Sequence, residues 1–216
     1  MSFKRIGNVE TLTALSFLSL SILSNIQVSW FQLGPASNPD TITPGDIHQV
    51  LVPGSNTIFN KSSPFLFIGG VPKSGTTLMR VLLDIHSQIS CGPETHIFID
   101  ILKLRYEWNN VESLRKRNMA AGVTLQLIDH AVSGFLLEVG ARHQDVAARI
   151  PCIKEPFLLT QGGFLSEWFP NSKLIHMVRD GRAVSNSLVS RSLEFPPFSS
   201  TNHTQNLKSW TKLASG

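Results

Sequence analysis

The chain has 216 residues, 42% of them hydrophobic and 16% charged, with a formal net charge of +4 and a pI near 9.3. This length and apolar content can bury one sizeable core and exclude the intrinsically disordered class. The modest basic excess suits an anionic ligand or an acidic polypeptide, while the lack of a Lys/Arg run argues against a nucleic-acid-binding protein. We therefore expect one folded domain preceded by a leader.

The leader is an apolar stretch near the N-terminus. Lys4 and Arg5 precede apolar residues at 12–23, and weaker apolarity continues to Phe31. A basic flank ahead of an apolar stretch is typical of a signal anchor whose first end is cytosolic. Interspersed serines make it a poor spanning helix, because roughly 20 predominantly apolar residues are expected. A cleaved signal peptide and an amphipathic or buried helix therefore stay open as alternatives.

We divide the chain into three parts on this basis. Residues 1–33 form the cytosolic tail and anchor. The stretch 34–63 contains four prolines and is predicted to be a stem or poorly ordered linker. Residues 64–216 form the folded domain.

The folded domain opens with a strand, a loop and a helix. Residues 65–68 are a short apolar run, and the apolar residues of 76–86 recur at helical spacing. Between them lies a loop rich in Gly, Ser and Thr. Its backbone N–H groups at 73–77 and its three hydroxyl groups are predicted to surround an anion at the positive end of the helix dipole.

The glycine spacing of this loop invites comparison with a nucleotide-hydrolysing P-loop. Gly70 and Gly75 stand at the spacing of that motif, which requires a lysine directly after its second glycine. Thr76 occupies that position, and Lys73 lies before Gly75 instead. We therefore reject a P-loop kinase and expect a site for a single terminal phosphate, with a ligand-free turn as the less favoured alternative.

The remaining predicted elements are helices at 97–108, 123–143 and 183–191 and a second parallel strand at 173–178. Ligands of open parallel sheets gather at the carboxyl ends of the strands. Lys73 and Arg179 both fall at such ends, so we expect them to lie close together.

Four sequence blocks, in this order, resemble the tyrosylprotein sulfotransferase family. They are GGVPKSGTTLMR at 69–80, LDIH at 83–86 with CGPET at 91–95, CIKEPF at 152–157, and FPNSK at 169–173 through MVRDGRA at 177–183 to Ser187 and Arg191. Together they span residues 64–191. A coincidence of four ordered blocks is improbable.

The resemblance implies both a fold and a reaction. The fold is α/β, with the P-loop-like three-layer architecture of sulfotransferases around a central parallel sheet. The reaction transfers a sulfuryl group from the co-substrate 3′-phosphoadenosine 5′-phosphosulfate to tyrosine hydroxyls in acidic segments of secreted or membrane polypeptides. No metal is implied.

The resemblance also implies the roles of individual side chains. Glu94 is the catalytic base, while Lys73 and Lys154 stabilise charge on the sulfonate and the bridging oxygen. The implied co-substrate site consists of Lys73, Ser74, Gly75, Thr76, Thr77, Arg179, Ser187 and Arg191, the last three around the 3′-phosphate. Arg182 is left out, because a salt bridge with Asp180 is an open alternative for it.

Four positions depart from the family pattern. Lys73 and His96 stand where the family has arginine, and the first of these changes removes the planar fork that grips two oxygens at once. Pro93 replaces a glutamate beside Glu94. Glu155 replaces an aspartate, which is a milder change.

The family pattern further implies a secretory compartment. It favours a disulfide between Cys91 and Cys152, where the residues alone leave two free buried thiols as the alternative. Asn60 and Asn202 begin glycosylation tripeptides. We expect a type II protein of the Golgi membrane with a lumenal domain, and a homodimer is left open.

The family's domain continues beyond the length of this chain. We therefore expect a truncated form, with an incomplete sheet and an exposed edge. An active tyrosine sulfotransferase is the favoured hypothesis, and a catalytically inactive nucleotide-binding or dimer-partner form is the alternative.

Overall fold

The computed structural model describes residues 26–32, 48–54, 56–143 and 148–214. The helices and strands in these ranges are, in chain order, β1 (Ile26–Gln32), β2 (Val50–Leu51), β3 (Ile58–Phe59), β4 (Leu66–Gly70), α1 (Thr76–Asp84), β5 (Ile89–Cys91), α2 (Ile97–Asn110), α3 (Glu112–Ala120), α4 (Leu125–Arg142), β6 (Ile150–Lys154), α5 (Gly162–Trp168), β7 (Lys173–Arg179), α6 (Gly181–Val189) and α7 (His203–Ala214). A 3-10 helix, Pro156–Gln161, lies between β6 and α5.

Five strands form the central sheet, in the order β1-β7-β4-β6-β5. The strands β7, β4, β6 and β5 run parallel to one another, and β1 pairs antiparallel with β7. Crossover helices return the chain to the same edge between parallel strands, so the carboxyl ends of β4, β6 and β7 lie together. The predicted α/β class with a central, mostly parallel sheet is confirmed.

Helices cover both faces of this sheet. Phe67 on β4 is fully buried in a cluster that includes residues of α2 and α4, whereas its neighbours Leu66 and Ile68 belong to a second cluster with Met79 of α1. Alternate residues of a strand point to opposite faces, so one short strand supplies two cores. Each such fully buried side chain stabilises the fold by about 1.5–3 kcal/mol. The three-layer arrangement of the prediction is thereby confirmed.

The predicted helices form with small shifts at their ends. Helix α4 begins after Thr124, whose hydroxyl accepts a hydrogen bond from the Leu127 N–H at 3.2 Å. Helix α6 begins at Gly181, earlier than predicted, because the carboxylate of Asp180 accepts the Arg182 N–H at 2.8 Å. Both are N-caps that satisfy an otherwise unpaired donor. Helix α6 ends at Val189, so Arg191 lies just beyond its last turn.

The structure differs from the sequence-based division at the N-terminal side. The apolar pattern predicts an anchor up to residue 33, whereas Ile26–Gln32 is the edge strand β1, in register with β7 along its whole length. The prolines predict a stem at 34–63, whereas β2 and β3 form a hairpin with Val50, Val52 and Phe59 buried in the larger core. Residues 1–25, which carry most of the predicted anchor, lie outside the described residues.

No single helix in the described residues is long and apolar enough to cross a bilayer. Helices α3 and α4 reach that length and apolarity only when taken together, and they are bent by 98° at the break between them.

Candidate active site

The loop between β4 and α1 makes a tight turn through two residues with positive φ angles. Gly75 and Lys73 have φ angles of 107° and 70°, in the left-handed region, which turns the chain sharply before α1 begins at Thr76. A Cβ on Gly70 would lie 2.4 Å from the carbonyl oxygen of Met177 and 2.7 Å from the hydroxyl of Ser74, so this position has room for glycine alone. Glycine at this position therefore allows β4 and β7 to approach each other closely where the loop begins.

Ser74 fits the predicted anion site. Its side chain is fully buried, and its hydroxyl has no hydrogen-bond partner in the described part of the chain. A buried polar group without a partner is costly, typically about 1–3 kcal/mol. The loop's hydroxyl and backbone donors at the start of α1 are the type of group that a phosphate or sulfate would satisfy.

Arg179 ends β7 beside this loop, as predicted. The two strands are paired up to Gly70 and Met177, so their carboxyl ends arrive at the same place. The guanidinium of Arg179 donates a hydrogen bond to the carbonyl oxygen of Lys73 at 3.1 Å. This bond fixes Arg179 and supports the left-handed conformation of Lys73.

Glu94 and Lys154 are joined across the neighbouring strands. Lys154 is the last residue of β6 and its side chain is 4% exposed, and its ammonium forms a salt bridge with the Glu94 carboxylate, which is 25% exposed. A lysine this deeply buried needs a charged partner, because an unpaired ammonium would be strongly destabilising. Two of the three side chains predicted to act in catalysis are therefore held as a pair.

A disulfide brings this pair together. Cys91 and Cys152 face each other on β5 and β6 with their Cα atoms 4.4 Å apart, and the predicted bond between them is formed. Glu94 follows Cys91 by three residues, and Lys154 follows Cys152 by two. The crosslink therefore limits how far the two side chains can separate.

Two side chains of helix α1 bind the backbone of Cys91. Arg80 donates a hydrogen bond to the carbonyl oxygen of Cys91 at 2.9 Å, and the carboxylate of Asp84 accepts the Cys91 N–H at 2.7 Å. Both side chains lie one helical turn apart on α1. Both residues lie in the sequence blocks of the family resemblance, which gave them no role, so this connection between the phosphate-type loop and β5 emerges only in the structure.

A second carboxylate lies behind Glu94. His96 Nδ1 is 3.5 Å from Glu94 Oε1 and 3.6 Å from Glu155 Oε2. Burial raises the pKa of the Glu155 carboxyl, and the charge of Glu94 raises it further, whereas His96 and Lys154 act in the opposite direction. The ligand atoms of these three side chains lie within 4.8 Å of one another. Because Lys154 already neutralises Glu94, a second cation there would meet a repulsive ammonium.

One cleft of about 990 Å³ connects these groups. Of the ten side chains and backbone positions predicted to act in catalysis or co-substrate binding, nine line it: Lys73, Gly75, Thr76, Thr77, Glu94, Lys154, Arg179, Ser187 and Arg191. Ser74 is the exception, because it is buried beneath the loop. The cleft also receives Lys103, Phe157 and Phe195, which the sequence patterns did not indicate.

The remaining predicted positions are distributed as follows. Arg182 pairs with Asp180 at 2.6 Å, the alternative that the sequence left open for it, and its hydrogen bonds lower the pKa of Asp180 to about 2. Asn202 is exposed at the start of α7, where its side-chain oxygen accepts the Gln205 N–H at 3.0 Å. Asn60 is half-buried in a turn and accepts the Ser62 N–H at 2.8 Å.

Comparison with known proteins identifies the family. Residues 64–215 match the family described as "Sulfotransferase family". The chain belongs to this sulfotransferase family. Its relatives include three protein-tyrosine sulfotransferases.

The chain is 43% identical over 163 residues to protein-tyrosine sulfotransferase A of Caenorhabditis elegans, covering 76% of this chain and 43% of the worm protein. It is 44% identical to protein-tyrosine sulfotransferase 2 of Gallus gallus and 42% identical to protein-tyrosine sulfotransferase 1 of Homo sapiens, each over 154 residues, 71% of this chain and 41% of the relative. The resemblance inferred from the four blocks is confirmed. The chain spans less than half the length of these sulfotransferases.

Proposed function

We propose that this sulfotransferase transfers a sulfuryl group from 3′-phosphoadenosine 5′-phosphosulfate to the hydroxyl group of tyrosine residues in polypeptides. The observation that carries the proposal is the single cleft in which a paired Glu94 and Lys154 face the loop at 73–77 and the Arg179 guanidinium. These groups supply a base, cations and a cradle for an anionic leaving group. The similarity to named protein-tyrosine sulfotransferases supports the choice of acceptor.

Each group has a distinct task in this reaction. Glu94 accepts the phenolic proton as the tyrosine oxygen forms its bond to sulfur. Lys154, released from its salt bridge with Glu94, then stabilises the negative charge that develops on the bridging oxygen as the bond between sulfur and that oxygen breaks. Lys73 neutralises the sulfonate oxygens, and the backbone N–H groups at the start of α1 hold the departing 5′-phosphate. The products are O-sulfotyrosine and adenosine 3′,5′-bisphosphate, so atoms and charge balance.

The opposite end of the cleft would select the nucleotide. Arg179 is half-buried and fixed to the Lys73 carbonyl oxygen, while Ser187 and Arg191 line the same cleft. A fixed guanidinium with a nearby hydroxyl suits a 3′-phosphate, because an Arg–phosphate pair is geometrically specific as well as strong. This set would discriminate a 3′-phosphorylated nucleotide from ATP.

The cellular setting belongs to the same proposal. A disulfide between adjacent strands is typical of proteins that fold in an oxidising compartment. Asn202 is exposed and open to glycosylation there. Together with the basic and apolar residues near the N-terminus, these features support a type II Golgi membrane protein that meets acidic, tyrosine-containing polypeptides in the lumen, either alone or as a homodimer.

Transfer of labelled sulfate to an acidic tyrosine peptide tests the proposal directly. The full chain is expected to transfer label from 3′-phosphoadenosine 5′-phosphosulfate, and Glu94→Ala is expected to abolish transfer while still binding adenosine 3′,5′-bisphosphate in calorimetry. Glu112→Ala, which changes an exposed glutamate on α3, serves as the matched control. Binding without transfer by the wild-type chain would favour the inactive nucleotide-binding form, and ATP hydrolysis would reopen the kinase hypothesis.

A further inference from the structure

Glu155 is an unusual residue for a site that already has a catalytic carboxylate. It follows Lys154 directly, its N–H donates to the Ile68 carbonyl oxygen at 3.0 Å, and its own carbonyl oxygen accepts the Leu158 N–H at 3.0 Å. Its side chain is only 2% exposed. The residue is thus anchored to the central strand β4 on one side and to the 3-10 helix on the other.

Its carboxylate has only partial compensation for this burial, from His96, through its ring and its backbone N–H, and from the Lys154 ammonium. Within the described chain, His96 is its one ion-pair partner, and its Oε2 atom accepts no hydrogen bond. Burial and the neighbouring charge of Glu94 both raise the pKa of the Glu155 carboxyl, so the ionised form is unfavourable there. A packed apolar or amide side chain would be more stable at this position. The carboxylate therefore calls for an explanation other than fold stability.

His96 links this carboxylate to the catalytic one. Its φ angle of 61° lies in the left-handed region, which a side chain with a Cβ adopts at a cost of about 1 kcal/mol. Its carbonyl oxygen accepts the Asp100 N–H at 3.0 Å, so α2 begins directly from this strained residue. Its ring lies between the two carboxylates, at 3.5 Å from Glu94 and 3.6 Å from Glu155.

We propose that Glu155 is a positioning residue for the catalytic base: it holds His96 in its left-handed conformation, and His96 in turn orients the Glu94 carboxylate toward Lys154 and the cleft. The inference rests on the proposed function for the role of Glu94. Glu155 itself does not line the cleft. Glu94 lies on an irregular segment between β5 and α2. Because Glu155 is hydrogen-bonded to β4, the connection through His96 ties Glu94 to the central sheet.

Four variants test the proposal in the full chain. Glu155→Gln (E155Q) keeps the size and one acceptor oxygen but removes the charge facing His96, and we expect kcat to fall about tenfold with an unchanged KM for the co-substrate. Glu155→Asp (E155D) retains the charge, so its kcat should lie closer to the wild-type value than that of E155Q. The third variant is His96→Gln alone, and the fourth combines it with E155Q. The combination should be no worse than the more damaging single change, because both act through one connection.

The controls separate positioning from folding. Glu112→Gln, at an exposed glutamate of α3, should leave kcat unchanged. The unfolding midpoint of E155Q at neutral pH should equal or exceed that of the wild type, because a buried charge has been removed. A loss of activity without a loss of stability is a result that a purely structural role would not produce.

Two outcomes would overturn the inference. One is a kcat of E155Q equal to that of the wild type; the other is strict additivity of the E155Q and His96→Gln effects. If the wild-type chain transfers no sulfate, the proposed function fails, and crystal structures of the wild type and E155Q then decide this inference independently. It stands if His96 leaves the left-handed region and Glu94 turns away from Lys154 in E155Q, and it falls if neither moves.

Discussion

The two ends of the cleft are organised in different ways. At one end, Glu94 and Lys154 are tied together by a disulfide, a salt bridge and hydrogen bonds from α1. At the other, Arg179 is fixed by one hydrogen bond to the loop, Ser187 is half-buried on α6, and Arg191 is exposed beyond the end of that helix. We call these the acid–base end and the nucleotide end.

We relate this difference to the task proposed for each end. Groups that act on a developing charge gain most when they are held in place before the reaction, because no reorganisation is then needed. Groups that recognise a flexible nucleotide can close on it after encounter. We therefore expect changes at the acid–base end to lower kcat and changes at the nucleotide end to weaken nucleotide binding.

Breaking the disulfide gives the largest expected effect. The double substitution Cys91→Ser with Cys152→Ser removes a crosslink across 61 positions of sequence, which should lower the free energy of unfolding by about 4 kcal/mol. Urea denaturation followed by circular dichroism measures the change. Reduction of the wild-type chain should reproduce it, and an unchanged urea midpoint would contradict it. In the variant that remains folded, kcat should fall more than nucleotide affinity, because β4 and β7 still hold Arg179 beside the loop.

Removing the buried ammonium comes next. Lys154→Met keeps an apolar stem of similar length but eliminates the charge, so kcat should fall about 100-fold while the KM for the co-substrate changes little. Steady-state transfer of labelled sulfate provides the measurement. The control is Lys116→Met, whose ammonium is exposed and pairs within α3. A large rise in KM at constant kcat would place Lys154 in ground-state binding instead.

A conservative change at the nucleotide end should have a smaller effect and a different signature. Arg179→Lys retains the charge but loses the planar fork, so adenosine 3′,5′-bisphosphate should bind about tenfold more weakly. Calorimetry on the purified chain measures this. Arg182→Lys is the matched control, because Arg182 is exposed and pairs with Asp180 outside the cleft. Equal losses for the two substitutions would mean that Arg179 has no special role.

The smallest effect concerns pH, and the two ends should respond in opposite directions. Burial lowers the pKa of His176, on β7 beneath the nucleotide end, below its usual 6.5. Its stabilising contribution is therefore present above pH 6.5 and is lost as the pH falls toward the folded-state pKa. The raised pKa of Glu155 has the opposite sign: its contribution is present below pH 4.5 and is lost as the pH rises through the folded-state pKa.

Unfolding midpoints measured between pH 4 and 8 separate these contributions. His176→Gln should flatten the loss of stability on the acid side, and Glu155→Gln should flatten the loss as the pH rises. If both variants show the wild-type pH profile, neither buried group contributes to it.

Much of the nucleotide end could be predicted from sequence because its parts are local. The loop at 73–77, the strand before it and the helix after it are contiguous, so the backbone donors and hydroxyls proposed to bind one anion appear as one sequence motif. The position of Arg179 followed from a general property of parallel sheets, whose strand ends meet at one edge. The helices α1, α2 and α4 were visible as apolar stripes of period 3.6.

Other parts of the chain could not be predicted, for two physical reasons. The residues of β1 are apolar enough to resemble part of an anchor, and hydrophobicity alone does not tell whether such a segment enters a sheet edge or a membrane. The hairpin of β2 and β3 consists of two-residue strands, too short for any period to be detected. In both regions a tertiary contact, with β7 or with the large core, decided the local structure.

The sequence by itself determined the family, the α/β class and the strand–loop–helix segment at 65–86, because these depend on contiguous motifs and on apolar periodicity, and the resemblance to the family implied the cysteine pair. Only the tertiary structure decided that Glu155 lies against His96 and that Arg80 and Asp84 grip Cys91. These contacts join residues far apart in sequence or on adjoining elements, and they arise from the order β7-β4-β6-β5 in the sheet. A sequence motif records which groups are present, whereas strand order decides which of them touch.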